Sequence, residues 1–298
     1  MRALRPEISV VLATRDRADS LDRLLGILAA QLRAPAFEVV VVDNGGRDRT
    51  PEVLERFRDR LRIVALREEA PGKGRALNRA LEAARGDLIV FTDDDVLPRP
   101  DWLAEFSAGA GRHPGSPVFG GRIRVDEEAV PGWVRRSGNL MGLLAVRHDL
   151  GTRDLAYGWG EYPYGPNMAV RVSCLEGGRA AYPERLGPGT AVPVGDESAF
   201  LQAISPPEAD DRTYLGAAVV THPVDPEAFR FGRAARRCFL AGLAHGLLGV
   251  PLAPPGDGGA GAVPRRMARR LAACRSAREL ACICIRTLGW RRGRSLRG

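Results

Sequence analysis

Three consecutive carboxylates, Asp93, Asp94 and Asp95, follow a short apolar run at Leu88–Phe91. An apolar run without polar alternation is typical of a strand that is buried on both faces of a parallel sheet. Ligands of open α/β sheets bind beyond the carboxyl ends of the strands, where these aspartates are predicted to lie. Because hard divalent cations prefer oxygen ligands, the Asp-x-Asp spacing suits a metal that holds a diphosphate. The alternative is a solvated turn that caps a helix beginning near Pro100.

Two further sets of polar residues come directly after predicted strands. Thr14 and Arg17 follow the first strand, and Asp43 follows the second. Since the carboxyl ends of adjacent parallel strands meet at one edge of a sheet, we expect both sets to lie beside the three aspartates. A lone Asp after a strand is commonly a turn residue. Three such sets at one edge are suited to binding a nucleotide base, a ribose and a diphosphate.

The elements that must position these residues alternate between strand and helix. This alternation predicts βαβ units around a parallel sheet. Residues 126–165 have no clear periodicity, which is typical of a binding surface or a lid. The predicted strands of the first half are Ile8–Ala13, Phe37–Val42, Leu61–Leu66 and Leu88–Phe91, and the predicted helices are about Leu21–Leu32, Arg49–Arg60 and Arg75–Ala84.

Two common phosphate-binding motifs are absent from the sequence. No G-x-G-x-x-G follows the first strand, which disfavours a dinucleotide-binding domain. The GKG at 72–74 lacks both the spacing and the Ser or Thr of a P-loop.

Six segments follow one another along the chain. They are ISVVLATRDR, VVVDN, the GxGRALN segment ending at Asn78, ARGDLIVFTDDDVLPRPDWL, YGPNMAVR and GDESAF. In order and spacing they resemble inverting family 2 glycosyltransferases of the GT-A fold, and the resemblance runs through about residue 248. It implies an α/β nucleotide-diphospho-sugar transferase fold over residues 1–250, with a mostly parallel central sheet flanked by helices.

The resemblance implies a metal-dependent, inverting transfer of a sugar from a nucleotide-diphosphate donor. The cofactor is Mg²⁺ or Mn²⁺, a UDP-sugar is the first expectation, and the acceptor is a hydroxyl of a polysaccharide, a lipid or a natural product. Two alternatives stay open. A nucleotidyltransferase would carry a G-x-G-T-R stretch after the first strand, which LATRDR lacks. A non-catalytic, membrane-associated sugar-nucleotide-binding module would keep the same fold.

The resemblance also implies roles for individual residues. Asp43 would contact the nucleotide base, Asp93 the ribose and the metal, and Asp95 the metal directly. His222 ends a predicted strand and is either a metal ligand or a structural residue. The predicted nucleotide-sugar-binding residues are Thr14, Arg17, Asp43, Asn78, Asp93, Asp94 and Asn167, and the predicted metal ligands are Asp95, Asp93 and His222.

An acid pair at a helix start is the predicted catalytic base. The family uses a Glu-Asp order, whereas this sequence has Asp196-Glu197, and the register places Glu197 at the base position. Displacement at an anomeric carbon needs a base within hydrogen-bond reach of the acceptor hydroxyl. The alternative is that both acids merely satisfy a helix N-terminus, and which of them acts stays open. A second departure is FLQAI after the pair, where relatives usually carry Arg-Leu.

The net charge of +8 comes from the C-terminal tail. Residues 261–298 hold eleven arginines and one acid, which leaves a net charge of −2 for residues 1–260. A nucleic-acid-binding core is therefore not expected. Residues 251–298 are predicted as a Pro/Gly linker and a basic amphipathic helix at Arg265–Leu288, and a chain ending near Gly261 is expected to stay soluble. The helix suits an anionic membrane surface, and a solvated basic tail is the alternative.

The composition also bears on the compartment. Five cysteines without a CxxC pair indicate reduced thiols. The sequence contains no run of eighteen apolar residues, and its first residues do not have the pattern of a secretory signal. We expect a cytoplasmic protein that contacts the inner face of the cell membrane through its tail.

Overall fold

Nine strands form one sheet in the part of the chain that the computed structural model describes, which is residues 5–175, 180–249 and 276–297. The strands are β1 Ile8–Thr14, β2 Phe37–Asp43, β3 Ile63–Arg67, β4 Leu88–Thr92, β5 Leu97–Pro98, β6 Val118–Arg124, β7 Leu155–Ala156, β8 Asn167–Arg171 and β9 Arg212–Thr221. Their order is β3-β2-β1-β4-β8-β6-β9-β5, and β7 pairs with β9.

The direction of the strands changes in the middle of the sheet. The strands β3, β2, β1 and β4 are parallel, which confirms the predicted βαβ half. β8 is antiparallel to both of its neighbours, β4 and β6. The predicted α/β sheet is therefore present, but it is mixed rather than mostly parallel. Strand direction follows from the chain's path between strands, and the local sequence does not record it.

The helices of this half follow the apolar spacing of the sequence. In the first helix Leu21, Leu24, Leu25 and Leu28 share one buried face. The helix predicted from Arg75 begins at Lys73 instead, which places that residue at the edge of the sheet. The helices are α1 Ala18–Leu28, α2 Thr50–Arg56, α3 Lys73–Ala83, α4 Trp102–Arg112, α5 Gly132–Arg135, α6 Gly138–Ala145, α7 Asp196–Ile204, α8 Phe231–Leu247 and α9 Ala277–Arg297.

The central strands are the core of the sheet. Val10, Val11 and Leu12 of β1 and Val39 and Val40 of β2 each have 0% of their surface exposed, although successive side chains of a strand point to opposite faces of the sheet. Burial on both faces is what the unbroken apolar runs predict. The carboxyl ends of β1, β2 and β4 are thereby held at fixed positions along one edge.

The described chain divides into two compact units. The sheet lies in the first unit, Met1–Arg124, His148–Ala191 and Asp196–Pro223. The second unit, Val125–Arg147, Val192–Gly195 and Val224–Gly298, contains α5, α6, α8 and α9. The expected boundary at residue 250 was drawn from composition, and it stays a prediction. Residues 126–165, expected to be irregular, include the two short helices α5 and α6.

The tail helix packs within the second unit. Its described part runs to Arg297 rather than ending at Leu288, and residues 265–275 of the predicted helix lie outside the described residues. Gly242 of α8 packs against the backbone of Arg286, and Gly289 of α9 against that of Phe239. Added β-carbons at these glycines would collide with the facing helix, so the two helices approach closely. No helix in the described residues is long and apolar enough to span a membrane.

Candidate active site

The ends of β1, β2 and β4 come together as the sequence predicts. Thr14 is in register with Asp43 across the β1–β2 pair. The Oγ1 of Thr14 donates a hydrogen bond of 2.7 Å to Asp94 of the β4 end. Arg17 donates to Asp94 at 3.1 Å and to Asp95 at 2.8 Å. The polar groups after three parallel strands therefore form one cluster at the edge of the first unit's sheet.

The three consecutive aspartates have different surroundings. Asp94 is buried, and it accepts hydrogen bonds from both Thr14 and Arg17. Burial raises the pKa of Asp94 above its usual value, although Thr14 and Arg17 act in the opposite direction. The side chains of Asp93 and Asp95 are 24% and 26% exposed, respectively. Asp94 thus ties the β1 end to the β4 end, and its two neighbours are the members of the motif that a ligand can reach.

Asp95 and His222 have the geometry of two ligands for one cation. The Oδ1 of Asp95 makes no hydrogen bond within the described residues, and it lies 4.0 Å from Nε2 of His222. The Nδ1–H of His222 donates to the carbonyl of Pro223 at 2.7 Å, which in the neutral ring leaves the Nε2 lone pair free. Metal-bound histidines are commonly oriented by such a bond to a backbone carbonyl.

These two donors fit Mg²⁺ or Mn²⁺ that binds together with a diphosphate. Such cations bind through one or two protein side chains plus phosphate oxygens. No group of three or more His, Cys, Asp or Glu side chains able to hold a metal occurs in the described ranges. A dedicated all-protein cage is therefore not present there, and the donor set of Asp95 and His222 is of the kind that a nucleotide completes.

Asp93 is paired with Lys73, the first residue of α3. The Nζ of Lys73 lies 2.5 Å from Oδ1 of Asp93. Burial would raise the pKa of the Asp93 carboxyl, but Lys73, and after it His222 and Arg17, together outweigh burial, and the pKa lies below its usual value. Asp93 is consequently ionised under ordinary conditions.

Asp196 and Glu197 begin α7, but their environments differ. Asp196 is 4% exposed, and its Oδ2 has no hydrogen-bond partner among the described residues. Glu197 has a partly exposed side chain, which accepts a hydrogen bond from the backbone N–H of Gly165. A β-carbon on Gly165 would lie 2.0 Å from Oε1 of Glu197, so any other residue there would displace the carboxylate.

The pKa of the Glu197 carboxyl is raised to about 7. Burial is the main cause, and the negative charges of Asp196 and Asp93 add to it, while Lys73 acts in the opposite direction. Burial also raises the pKa of Asp196. A carboxylate with a pKa near neutrality that is still accessible is suited to general base catalysis.

Asp43 lies at the same edge with both carboxylate oxygens in hydrogen bonds. Its Oδ1 accepts from the backbone N–H of Gly46 and its Oδ2 from Arg67, each at 2.7 Å. Each carboxylate oxygen has two lone pairs, so further acceptor capacity remains.

Two of the predicted donor-binding residues, Asn167 and Asn78, have side chains that make hydrogen bonds within the protein. The amide of Asn167 is fully buried; it donates to the carbonyls of Arg122 and Ala218 and accepts from Nε1 of Trp102. The amide of Asn78 exchanges two hydrogen bonds with the backbone of Tyr182. In both cases the side chain joins segments of the protein, and its hydrogen-bonding groups point at backbone or indole rather than at the carboxylate cluster.

Sequence reasoning gave no role to two cations of the site, Lys73 and Arg67. Lys73 lies in the GKG that does not match a P-loop and within the GxGRALN segment. The available signal was that it is the only lysine of the chain. Arg67 ends β3 beside Asp43, but one arginine among so many carries no signal in this sequence.

Comparison with solved structures identifies the fold. The TarS structure from Staphylococcus aureus in complex with UDP aligns with a TM-score of 0.58 and 18% identity, over 98% of this chain and 90% of that one. The mannosyltransferase PcManGT from Pyrobaculum calidifontis, in complex with GDP-Man and Mn²⁺, aligns with a TM-score of 0.62 and 21% identity, over 95% and 74%. The chain therefore has the fold of GT-A glycosyltransferases.

The sequence comparison then gives the family. A model of glycosyl transferase family 2 matches residues 9–176, more than half of the chain, and the chain belongs to this family. Validoxylamine A glucosyltransferase of Streptomyces hygroscopicus subsp. limoneus is 40% identical over 119 residues, which are 39% of this chain and 26% of that protein. Poly(ribitol-phosphate) beta-N-acetylglucosaminyltransferase TarS of S. aureus is 31% identical over 110 residues, 36% and 19% respectively. The matched stretch spans about a quarter or less of these relatives.

Proposed function

We propose that the chain is a metal-dependent, inverting glycosyltransferase that uses a nucleotide-diphosphate sugar. One observation carries the proposal. Two candidate cation ligands, Asp95 and His222, lie 4.0 Å apart, and Lys73 links the neighbouring Asp93 to Glu197, an accessible carboxylate with a raised pKa. A sugar transferase needs these two groups together, because one side of the sugar loses a diphosphate while the other meets an acceptor hydroxyl.

The donor is held at the carboxyl ends of β1, β2 and β4. Asp43 accepts from the nucleotide base, and Thr14 and Arg17 shape the adjoining wall through their bonds to Asp94. Asp93 faces the ribose. We put the backbone of the segment around Asn167, rather than its buried side chain, at the floor of the sugar pocket.

Asp95 and His222 would hold the cation, with Asp93 beside it. When bound, Mg²⁺ or Mn²⁺ would neutralise the negative charge of the departing diphosphate. The chain's own contribution on this side is to orient the ligands. Arg17 bonds Oδ2 of Asp95 and leaves Oδ1 open, and the carbonyl of Pro223 fixes the ring of His222.

Glu197 is the general base. The acceptor hydroxyl oxygen attacks the anomeric carbon from the face opposite the diphosphate, and the carbon–oxygen bond to the diphosphate breaks. Attack from the face opposite the leaving group inverts the configuration at the anomeric carbon, and the hydroxyl proton goes to the carboxylate of Glu197. Asp196, more deeply buried and next to it, keeps the pKa of Glu197 high through its negative charge.

UDP-sugars are the first donors to test, because the TarS structures contain UDP and UDP-GlcNAc. GDP-sugars come second, since PcManGT contains GDP-Man. The acceptor is a hydroxyl of a polysaccharide, a lipid or a natural product. The relatives named for validoxylamine A and for poly(ribitol-phosphate) support this breadth.

We further propose that the second unit contacts an anionic membrane surface. Leu280, Cys284 and Leu288 are exposed and spaced four residues apart on α9, and the exposed Arg291 and Arg292 follow them. An exposed apolar stripe bordered by arginines favours an anionic lipid interface. Since α9 also packs on α8, only its outer face is available for this contact.

The function is tested by nucleotide release. The full chain is incubated with UDP- and GDP-sugars and Mn²⁺, with candidate acceptors present or absent, and the released UDP or GDP is measured. Acceptor-dependent release supports the proposal. Tight UDP binding without release with any acceptor would favour the non-catalytic binding module, and pyrophosphate release from a nucleoside triphosphate and a sugar phosphate would favour a nucleotidyltransferase.

A further inference from the structure

Lys73 occupies a position between the two halves of the site. It is the only lysine of the chain, in which arginine is otherwise the basic residue used. Its Nζ is 2.5 Å from Oδ1 of Asp93 and 4.0 Å from Oε1 of Glu197, and its side chain is 19% exposed. One ammonium therefore binds a carboxylate of the donor half and faces the proposed base.

Backbone hydrogen bonds fix the position from which the Lys73 side chain extends. The N–H of Lys73 donates to the carbonyl of Pro188 at 3.0 Å. The N–H of Gly72 donates to Oδ1 of Asn44, also at 3.0 Å, and the φ of Gly72 is +139°, a value that favours glycine. The first turn of α3 is thus held from two sides, and the side chain of Lys73 projects from a fixed point.

The charges around Glu197 explain why a cation is needed. Asp93 and Asp196 both raise the pKa of Glu197, and Lys73 and the N–H of Gly165 lower it. Three carboxylates this close repel one another unless a positive charge lies among them. Without Lys73, the carboxylate of Glu197 would turn away from Asp93 and Asp196 or take up a proton, and either change removes a base.

Lysine suits this position better than arginine. An ammonium is a compact charge with three donors, so it can face carboxylates on two sides at once. A guanidinium is a planar fork that favours two parallel bonds to one carboxylate. An arginine at 73 would therefore be expected to bind Asp93 with both arms and leave Glu197 unsupported.

We propose that Lys73 is a positioning residue that holds the carboxylate of Glu197 toward the acceptor hydroxyl while it is bound to Asp93. The inference rests on the proposed function and extends it. One side chain links the donor half of the site to the base, so its loss changes turnover more than donor binding.

Steady-state kinetics of Lys73→Met and Lys73→Arg test this role. We expect both variants to lower kcat by about 100-fold or more, the usual scale of losing general base catalysis, with the donor KM changed by less than about threefold. Arg75→Met is the matched control, because Arg75 lies two residues further along α3 and its side chain makes an exposed ion pair with Glu184. An unchanged kcat, a full rescue by arginine, or a rise in donor KM alone would overturn the proposal.

A second measurement does not depend on transfer. The carboxyl ¹³C resonance of Glu197 is titrated in the donor-free full chain and in Lys73→Met, or in Lys73→Gln should the methionine variant not fold. Loss of the ammonium should move the pKa of Glu197 above its value of about 7. An unchanged pKa refutes the link between the two residues. Failure of the wild-type chain to release nucleotide counts against the proposed function and leaves this titration valid.

Discussion

The Nε2 of His222 lies 4.0 Å from Oδ1 of Asp95, and that oxygen makes no hydrogen bond within the described residues. A buried carboxylate oxygen without a partner is costly unless a ligand satisfies it. The ring of His222 is held by its other nitrogen, so its free lone pair stays directed at the same region. Two residues far apart in the sequence therefore form the cation position that we propose.

Asp95→Ala removes the charged ligand of this position. We expect it to abolish transfer and to remove the Mn²⁺ dependence of UDP binding, measured by calorimetry with and without the metal. His222→Ala should weaken Mn²⁺-dependent UDP binding by about 10–100-fold, the range found when a metal site loses supporting groups. Asp87→Ala is the control, because Asp87 is highly exposed and pairs with Arg5. Full activity of Asp95→Ala in the presence of a chelator would show that no metal is used.

Glu197→Gln tests the base. The amide keeps the shape of the side chain but cannot take a proton, so we expect kcat to fall by about 10²–10⁴-fold with little change in UDP affinity. For the wild-type chain, kcat/KM should fall as the pH drops below about 7, because protonation of Glu197 removes the base. If Asp196→Asn gives this pattern and Glu197→Gln does not, the roles of the two acids are reversed.

The raised pKa of Glu197 also predicts how stability depends on pH. A carboxyl whose pKa is higher in the folded than in the unfolded state destabilises the fold once it ionises, so its cost appears as the pH rises from about 4.5 through about 7. Glu197→Gln carries no such cost. Its Tm relative to the wild type should therefore be more favourable at pH 8 than at pH 5, as followed by thermal denaturation. The opposite trend would mean that Glu197 is stabilised as an anion.

Asn167→Ala separates a structural role from donor binding. The change leaves the N–H of Trp102 and the carbonyls of Arg122 and Ala218 without their partner, at about 1–3 kcal/mol for each buried group. With the lower bound for each of the three groups, a total of about 3 kcal/mol, we expect the Tm to fall by roughly 6–12 °C, and UDP affinity to be unchanged below the transition. Asn139→Ala, on an exposed position of α6, is the control. A normal Tm with lost UDP binding would restore the role first predicted for Asn167.

The sequence was most informative where local pattern and site coincide. The apolar run before Asp93 predicts a strand buried on both faces, and β4 is buried along its whole length. The register of β1 with β2 places Thr14 beside Asp43 as the βαβ pattern requires. These features depend on neighbouring residues and on the general right-handedness of βαβ crossovers. A single sequence is therefore enough to predict them.

Long-range contacts are what the sequence could not provide. The amide of Asn167 makes hydrogen bonds to Trp102 at the start of α4, Arg122 of β6 and Ala218 of β9. The tail helix looked independent because its composition is distinct, yet Cys282 is 1% exposed in the core of the second unit. We now expect a chain ending near Gly261 to expose the apolar face of α8, contrary to the solubility predicted from composition.

The membrane prediction is therefore tested with substitutions rather than a truncation. Each arginine near an anionic leaflet contributes on the order of 1 kcal/mol, provided that it lies within a Debye length of the surface. Arg291, Arg292 and Arg294 are exposed on α9, and replacing all three by glutamate reverses the charge there without removing the packing against α8. We expect the full wild-type chain to sediment with anionic phosphatidylserine-containing vesicles at low salt and to be released at high salt. The triple variant should stay in the supernatant in both conditions.

A matched triple variant decides whether position or net charge matters. Arg23, Arg124 and Arg153 are exposed in the first unit, and changing them to glutamate alters the net charge of the chain by the same amount. If α9 forms the contact, this control should sediment nearly as well as the wild type. Leu288→Ser, compared with the wild type, should also lower vesicle binding, and this loss should not depend on the salt concentration. Equal loss of sedimentation in both triple variants would mean that only the net charge of the chain matters. Equal retention in both would mean that these three arginines of α9 contribute nothing to membrane binding.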